Sequence, residues 1–190
     1  RLPDLVPPLR RRRRRRGVHG HGQQRGGQGR PGAVVGPHPA HVGAGHVGQR
    51  VAELAVEVGF DVWVVDDRPE YCNPDRFPQA RLVVEAFDTA LGGLQIDSCT
   101  YCIIVTRGHN HDEQALHMLA EVPAAYLGMI GSRRKIKLIF DDLLKKGISQ
   151  ETLDRVHAPL GLEIGSQTVN EIAISIVAEL IAHRNLGGAV

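Results

Sequence analysis

The sequence Gly43-Ala44-Gly45-His46-Val47-Gly48 decides the fold, because a helical stretch, an apolar run and a carboxylate follow it in that order. Glycines at this spacing allow a tight turn, a close approach of backbone to a pyrophosphate, and close packing of helix on sheet. The helix N-terminus offers N–H groups and the positive end of its dipole to phosphate. Asp66 lies 18 residues after Gly48, close to the spacing expected of a carboxylate that accepts ribose hydroxyls. The pattern predicts a Rossmann-like nucleotide site.

Beyond this glycine turn, apolar strands alternate with amphipathic helices. Strands are predicted at 61–65, 81–86, 101–106 and 124–130. Helices are predicted at 48–58, 87–94, 111–121, from Ser132 to Gly147, and from Thr168 onward, where Thr168 and Glu171 have capping-box spacing. Continuous apolar strands separated by helices indicate a doubly wound parallel sheet in three α/β/α layers. We therefore expect a Rossmann-like domain over residues 43–190.

Residues 1–42 do not fit that domain. A Rossmann unit needs an apolar strand before the first glycine, but Pro37 and Pro39 lie there, and proline cannot donate to a sheet ladder. We therefore expect no strand before Gly43. The segment holds ten basic residues and one acidic residue, net +9, whereas residues 43–190 hold thirteen basic and twenty acidic residues, net −7. Its low-complexity, basic composition predicts a disordered extension.

The unbroken arginine run from Arg10 to Arg16 leaves three interpretations of the extension open. It is a nucleic-acid or targeting arm, a solvated extension without function, or the product of reading GC-rich DNA in a shifted frame. We favour the shifted frame, because the unusual composition stops abruptly at the glycine turn. Nucleic-acid binding rests on this run alone.

Length and composition favour one globular domain in a reducing compartment. No apolar run is long enough to cross a bilayer, and no signal-peptide pattern is present. Three cysteines do not suggest a disulfide framework. We expect a cytoplasmic protein without a membrane partner, with Cys72 exposed in a loop and the Cys99/Cys102 pair structural, because it enters a strand rather than a helix.

Ligands of open parallel sheets gather beyond the carboxyl ends of the strands. Polar side chains follow three predicted strands there and bring carboxylate, imidazole and guanidinium groups to one edge, where they would suit an anion. The candidate contacts are Gly43, Gly45, His46, Gly48, Asp66, Asp67, Arg68, Arg107, His109, His111, Ser132, Arg133 and Arg134.

Several of these residues have a second, purely structural interpretation. His46 contacts a ligand or is an exposed helix-start residue, and Asp112 meets a ligand or stabilises the first turn of its helix. His109 and His111 have i, i+2 spacing without an evident third ligand, so we predict no metal site. No catalytic residue can be assigned.

Six segments in order also resemble the XdhC/CoxI family of accessory factors for molybdenum hydroxylases. They span residues 43–184 and read GAGHVGQRVAEL, VVDDRPEYCNPDRFPQA, VTRGHNHDEQAL, YLGMIGSRRK, VHAPLGLEIGSQT and NEIAISIVAELIAHR. The resemblance implies a Rossmann domain that binds molybdenum cofactor and helps insert it into the apo-hydroxylase, alongside a cysteine desulfurase, and it points to a homodimer. The family's separate N-terminal domain has no counterpart in residues 1–42.

Two functions follow from different classes. The first is a maturation factor that binds molybdenum cofactor and passes it to a hydroxylase of the xanthine dehydrogenase type. The second is an NAD(P)-dependent oxidoreductase that uses the same glycine fingerprint, with His109 or His111 as acid/base and with Asp66 favouring NAD over NADP. No tyrosine–lysine pair or substrate domain supports the second interpretation.

Overall fold

Eleven elements build the domain in the computed structural model, which describes residues 38–106 and 108–187. The strands are β1 His38–Val42, β2 Trp63–Val65, β3 Arg81–Val83, β4 Thr100–Ile104 and β5 Tyr126–Met129. The helices are α1 His46–Glu57, α2 Phe87–Gly93, α3 His109–Leu119, α4 Arg133–Lys145, α5 Gln150–Asp154 and α6 Val169–Leu186. Of the extension predicted over residues 1–42, residues 1–37 lie outside the described residues.

The five strands form one parallel sheet in the order β3-β2-β1-β4-β5. Helices α1 and α6 pack on one face against Val64 and Ile103, and α2, α3 and α4 pack on the other against Val65 and Ile104. All five residues of β4 are buried, as expected for a strand covered on both faces. The predicted doubly wound, three-layer Rossmann-like fold is confirmed.

The prediction that no strand precedes Gly43 is wrong, because β1 occupies the centre of the sheet between β2 and β4. The amide of Gly43 donates to the carbonyl of Val65 in β2, so alternation directs the nitrogen of Pro39 toward β2 as well. Pairing with β2 begins only at Ala40, opposite Trp63. Proline has no N–H to donate, and at position 39 β2 offers no ladder partner that would accept one. The strand therefore tolerates Pro39.

Helix ends agree well with the sequence signals. Ser132 accepts a hydrogen bond from the Lys135 amide, and Thr168 and Glu171 form the predicted capping box. Helix α4 buries Ile136, Ile139 and Leu143, whereas Leu144 is 38% exposed. Helix α5 was not predicted. Among the described residues, no helix combines the length and apolar character needed to cross a membrane.

The cysteine predictions have mixed outcomes. Cys72, expected to be exposed, is buried, and its thiol lies 3.6 Å from the carbonyl oxygen of Val64. Burial raises its pKa. Cys102 is buried in β4, where desolvation raises its pKa to about 12, whereas Cys99 is exposed. All three thiols are free.

Candidate functional site

The glycine turn joins β1 to α1, beside the carboxyl end of β4. Gly43 has a φ of 112°, and a Cβ there would lie 2.8 Å from the carbonyl oxygen of Val105. A Cβ on Gly48 would lie 2.4 Å from the carbonyl oxygen of Gly43. A Cβ on Gly45 would meet nothing closer than 3.9 Å. Packing within the chain therefore requires glycine at 43 and 48, whereas glycine at 45 leaves the N-terminus of α1 open to a ligand.

Asp66 secures this turn rather than facing a ligand. The Ala44 amide donates to its Oδ2 at 2.7 Å, and the Arg68 amide donates to its Oδ1 at 3.1 Å. The Arg68 guanidinium donates to the same carboxylate through Nε at 2.8 Å and Nη2 at 2.9 Å. A carboxylate accepts about four hydrogen bonds, so the acceptor capacity of Asp66 is filled by its own chain.

The electrostatics of Asp66 follow from these contacts. Its side chain is almost fully buried, and desolvation alone would raise its pKa. The hydrogen bonds from Arg68 and Ala44 outweigh burial and hold the pKa of Asp66 below its ordinary value. The Arg68 guanidinium also lies over the ring of Tyr71, 4.2 Å from its centroid. The residue predicted to bind ribose is therefore an ionised structural anchor.

Arg76 holds the same turn from the other side. Its Nη1 donates to the carbonyl oxygens of Ala44 at 2.8 Å and Tyr71 at 2.9 Å. Its Nε and Nη2 donate to Oε1 of Gln49 in α1, at 3.1 and 2.8 Å. Asp66 thus binds the amide of Ala44, and Arg76 binds its carbonyl oxygen. Together they fix the direction of the glycine turn.

A small cavity opens beside these anchors. It has a volume of about 110 Å³ and is lined by Asp66, Asp67, Arg68, Phe87, Thr106 and His111. Small-molecule sites commonly have volumes of several hundred Å³, so this cavity suits one ring or group of a larger ligand. Asp67 is its exposed carboxylate, 3.9 Å from Nε of Arg68. The predicted residues Asp66, Asp67, Arg68 and His111 do meet here.

The start of α3 is tied to the start of α4 by a buried charge. Asp112 is fully buried and accepts hydrogen bonds from the hydroxyl of Thr106 and from Nζ of Lys135. The two helices that follow β4 and β5 are therefore linked by an ion pair. This geometry supports the structural interpretation of Asp112.

His109 lies apart from His111, on a different cluster. Its ring comes together with Glu113 and Asp142, and one ligand atom from each lies within 4.8 Å of the others. Lysines already neutralise both carboxylates: Lys146 lies 2.5 Å from Glu113, and Lys145 lies 2.8 Å from Asp142. The group fits a surface ion-pair network as well as it fits a metal site, and His111 is not part of it.

The remaining predicted contacts occupy different places. His46, the first residue of α1, is exposed at the glycine turn, and Arg107 lies outside the described residues. Ser132 is occupied in capping α4. Arg134 is exposed, and Arg133 lines a separate groove with Phe140 and Pro159. The structure does not gather the Ser132–Arg134 turn into the small cavity.

Sequence reasoning missed Arg76 and Phe87 as members of the site. Phe87 begins a predicted helix directly after a predicted strand, so proximity to the carboxyl end of that strand was an available signal. Arg76 lies in the long loop after β2, and its contacts with Ala44 and Gln49 span 32 and 27 residues. No local pattern indicates contacts of that range.

A glycine turn at the point where the strand order of a parallel sheet reverses defines a Rossmann-type ligand-binding domain. The chain belongs to the XdhC Rossmann domain family, whose model matches residues 40–180. This confirms the family indicated by the sequence.

Individual relatives agree with that assignment. The chain is 40% identical over 151 residues to the uncharacterized protein YqeB of Escherichia coli, covering 78% of this chain. It is 32% identical over 143 residues to a Bacillus subtilis protein described as a probable xanthine dehydrogenase subunit, covering 75% of this chain. It is 27% identical over 136 residues to the molybdenum cofactor insertion chaperone PaoD of Escherichia coli, covering 72% of this chain.

A solved structure extends the comparison to the fold. A protein described as a xanthine dehydrogenase from Bacillus halodurans matches with a TM-score of 0.72 and 30% identity, over 80% of this chain and 43% of that chain. The chain spans 28%, 41% and 36% of the lengths of YqeB, the Bacillus subtilis protein and PaoD.

Proposed function

We propose that this chain is the cofactor-binding domain of a maturation factor that carries molybdenum cofactor to a molybdenum hydroxylase of the xanthine dehydrogenase type. The observation that carries the proposal is its likeness to PaoD, whose name describes molybdenum cofactor insertion. The cofactor is cargo in this role, so the domain needs only to recognise, hold and release it. The apo-hydroxylase receives the cargo, and a cysteine desulfurase is the proposed source of its sulfur. A homodimer is the proposed assembly.

The residues of the glycine turn suit the phosphate of such a cargo. Glycine at 45 lets an anion approach the N-terminus of α1, where N–H groups and the helix dipole favour negative charge. Gly43 and Gly48 shape the turn, and His46 stands exposed at its rim. The cavity beside Asp67 would take an adjoining ring. The further proposed contacts are Arg107, His109, His111, Ser132, Arg133 and Arg134, and of these His111 lines the cavity.

The geometry weakens the case for an NAD(P)-dependent oxidoreductase. That activity would use Asp66 to accept the ribose hydroxyls of NAD. Four hydrogen bonds from Ala44 and Arg68 already fill this carboxylate. A conventional ribose contact would require breaking a buried, charge-assisted network, so the maturation role is the better supported function.

Cofactor retention and transfer test the proposal directly. The full chain, mixed anaerobically with molybdenum cofactor, should retain it through gel filtration and should accelerate activation of an apo-xanthine dehydrogenase. Gly45→Ala should fold normally, because its Cβ has room, yet lose retention about tenfold or more by blocking the anion. Gly92→Ala is the matched control. A Cβ at Gly92 also meets open space, but Gly92 lies in α2 and is not part of the glycine turn. Failure to retain the cofactor, or turnover of a carbonyl substrate with NADH, would contradict the proposal.

A further inference from the structure

The cavity lined by Asp67, Arg68, Phe87, Thr106 and His111 has a specific pattern of polar groups. The other carboxylate that lines it, Asp66, is saturated by its own chain. Asp67 is therefore the carboxylate that this cavity offers to a ligand. Its side chain is 56% exposed, and among the described residues its ionic neighbour is Arg68, at 3.9 Å.

Arg68 supplies a donor beside this acceptor. A guanidinium carries five N–H groups, and the Arg68 side chain uses Nε and Nη2 to bind Asp66. The N–H groups of Nη1 are not used in that pair. The bidentate contact with Asp66 and the stacking on Tyr71 hold the guanidinium in a fixed plane. The cavity thus offers an exposed acceptor next to a fixed donor.

Rings form part of the cavity wall. Phe87 is buried and lies edge-on to His111, with 6.3 Å between the ring centroids. Aromatic and imidazole faces pack well against a planar heterocycle. The cavity volume of about 110 Å³ suits one such heterocycle rather than a whole nucleotide.

We propose that this cavity recognises the aminopyrimidinone edge shared by guanine and pterin rings, with Asp67 as the specificity-determining residue. That edge carries an amino group, an adjacent ring N–H and a carbonyl oxygen. The two donors match the carboxylate of Asp67, and the carbonyl oxygen matches an N–H of Arg68. The inference rests on the proposed function, because it identifies the part of the cargo that the domain recognises.

The same groups discriminate against adenine. Adenine presents one amino donor beside a ring nitrogen that accepts, so a carboxylate would face an acceptor at the second position. An acceptor-only group opposite another acceptor loses a hydrogen bond and gains repulsion. A preference for guanine or pterin over adenine also separates this ligand class from NAD, whose base is adenine.

Binding of matched diphosphates tests the inference. Calorimetry on the full chain would compare GDP, ADP, 6-hydroxymethylpterin diphosphate and inorganic pyrophosphate. GDP, the pterin diphosphate, or both should bind about tenfold or more tightly than ADP, and the tighter of the two identifies the natural ring. Asp67→Asn should reduce that preference to about threefold or less without changing pyrophosphate binding. Glu70→Gln, an exposed acid of the same loop that does not line the cavity, should keep the preference.

Any of three results would overturn the inference. These are ADP binding as tightly as both other diphosphates, a preference that survives in Asp67→Asn, and rings that add nothing to the affinity of pyrophosphate. These outcomes are independent of the transfer assay. A chain that activates the apo-hydroxylase without a base preference refutes this inference alone, whereas a base preference without cofactor retention refutes the proposed function alone.

Discussion

The carboxylate of Asp66 and the amide of Ala44 are joined by a 2.7 Å hydrogen bond across 22 residues of sequence. Arg76 binds the carbonyl oxygen of the same residue at 2.8 Å. The peptide groups on both sides of Ala44 are therefore held by side chains of opposite charge. This arrangement fixes the turn before a ligand arrives, which lowers the entropy cost of binding.

Asp66→Asn should destabilise the fold and weaken anion binding together. The amide nitrogen of asparagine would replace one acceptor with a donor, facing donors from Ala44 or Arg68. Loss of a buried, charge-assisted contact of this kind costs about 2 kcal/mol. Urea denaturation measures the free energy of unfolding, and calorimetry with pyrophosphate measures binding. Asp67→Asn is the control and should change the free energy of unfolding by less than about 0.5 kcal/mol; equal losses in the two variants would contradict the assignment.

The pKa of Asp66 also predicts an acid dependence of stability. Burial raises this pKa, but the hydrogen bonds from Arg68 and Ala44 bring it below its ordinary value of 3.8. As pH falls, Asp66 is therefore protonated in the unfolded chain before it is protonated in the folded chain. The contribution of Asp66 to stability should be complete above its unfolded pKa and lost as pH falls through its lower folded pKa. Urea midpoints measured from about pH 5 to about pH 2.5 should fall more steeply in the parent chain than in Asp66→Asn, and parallel curves would refute this.

Arg76→Gln should weaken ligand binding by releasing the carbonyl of Ala44 and the side chain of Gln49. Hydrogen bonds from a charged donor contribute about 1.5–3 kcal/mol, so pyrophosphate affinity should fall about tenfold. Arg81→Gln is the control, because Arg81 is 63% exposed and forms a surface ion pair with Asp61. An affinity unchanged in Arg76→Gln would show that the turn keeps its direction without this residue.

The glycines of the turn should separate into two classes. Gly48→Ala places a Cβ 2.4 Å from the backbone oxygen of Gly43, which cannot move without shifting the turn. We expect a loss of about 2 kcal/mol in the free energy of unfolding, measured by urea denaturation. Gly45→Ala should leave that free energy within about 0.5 kcal/mol of the parent chain. Equal stability losses at positions 45 and 48 would contradict the distinction.

Much of the fold could be predicted because its signals are local. Helical periodicity, capping residues such as Thr168 and Glu171, and continuous apolar strands each depend on a few neighbouring residues. The strand before Gly43 could not be predicted from composition, because its tolerance of Pro39 depends on where β2 begins. That boundary is a tertiary property. The same limit explains Cys72, which the folded chain buries although neighbouring residues of its loop are exposed.

The site was predictable in location but not in the roles of its residues. The rule that ligands gather at the carboxyl ends of strands brought Asp66, Asp67, Arg68 and His111 to one cavity. It could not separate Asp66, which anchors the turn, from Asp67, which is exposed. Adjacent carboxylates in a sequence differ only in the partners that the folded chain brings to them.

Lys135→Met should destabilise the domain strongly by leaving the buried carboxylate of Asp112 without its cation. Removing one partner of a buried ion pair costs about 3 kcal/mol or more, because the other charge stays desolvated. Urea denaturation should show this loss, and adding Asp112→Asn to the variant should restore part of it by removing the charge. Lys137→Met is the matched control in α4, since Lys137 is 77% exposed and its pair with Asp141 contributes little. Equal stabilities of the Lys135 and Lys137 variants would show that Asp112 does not need the cation and that the hydrogen bond from Thr106 is enough to hold its carboxylate.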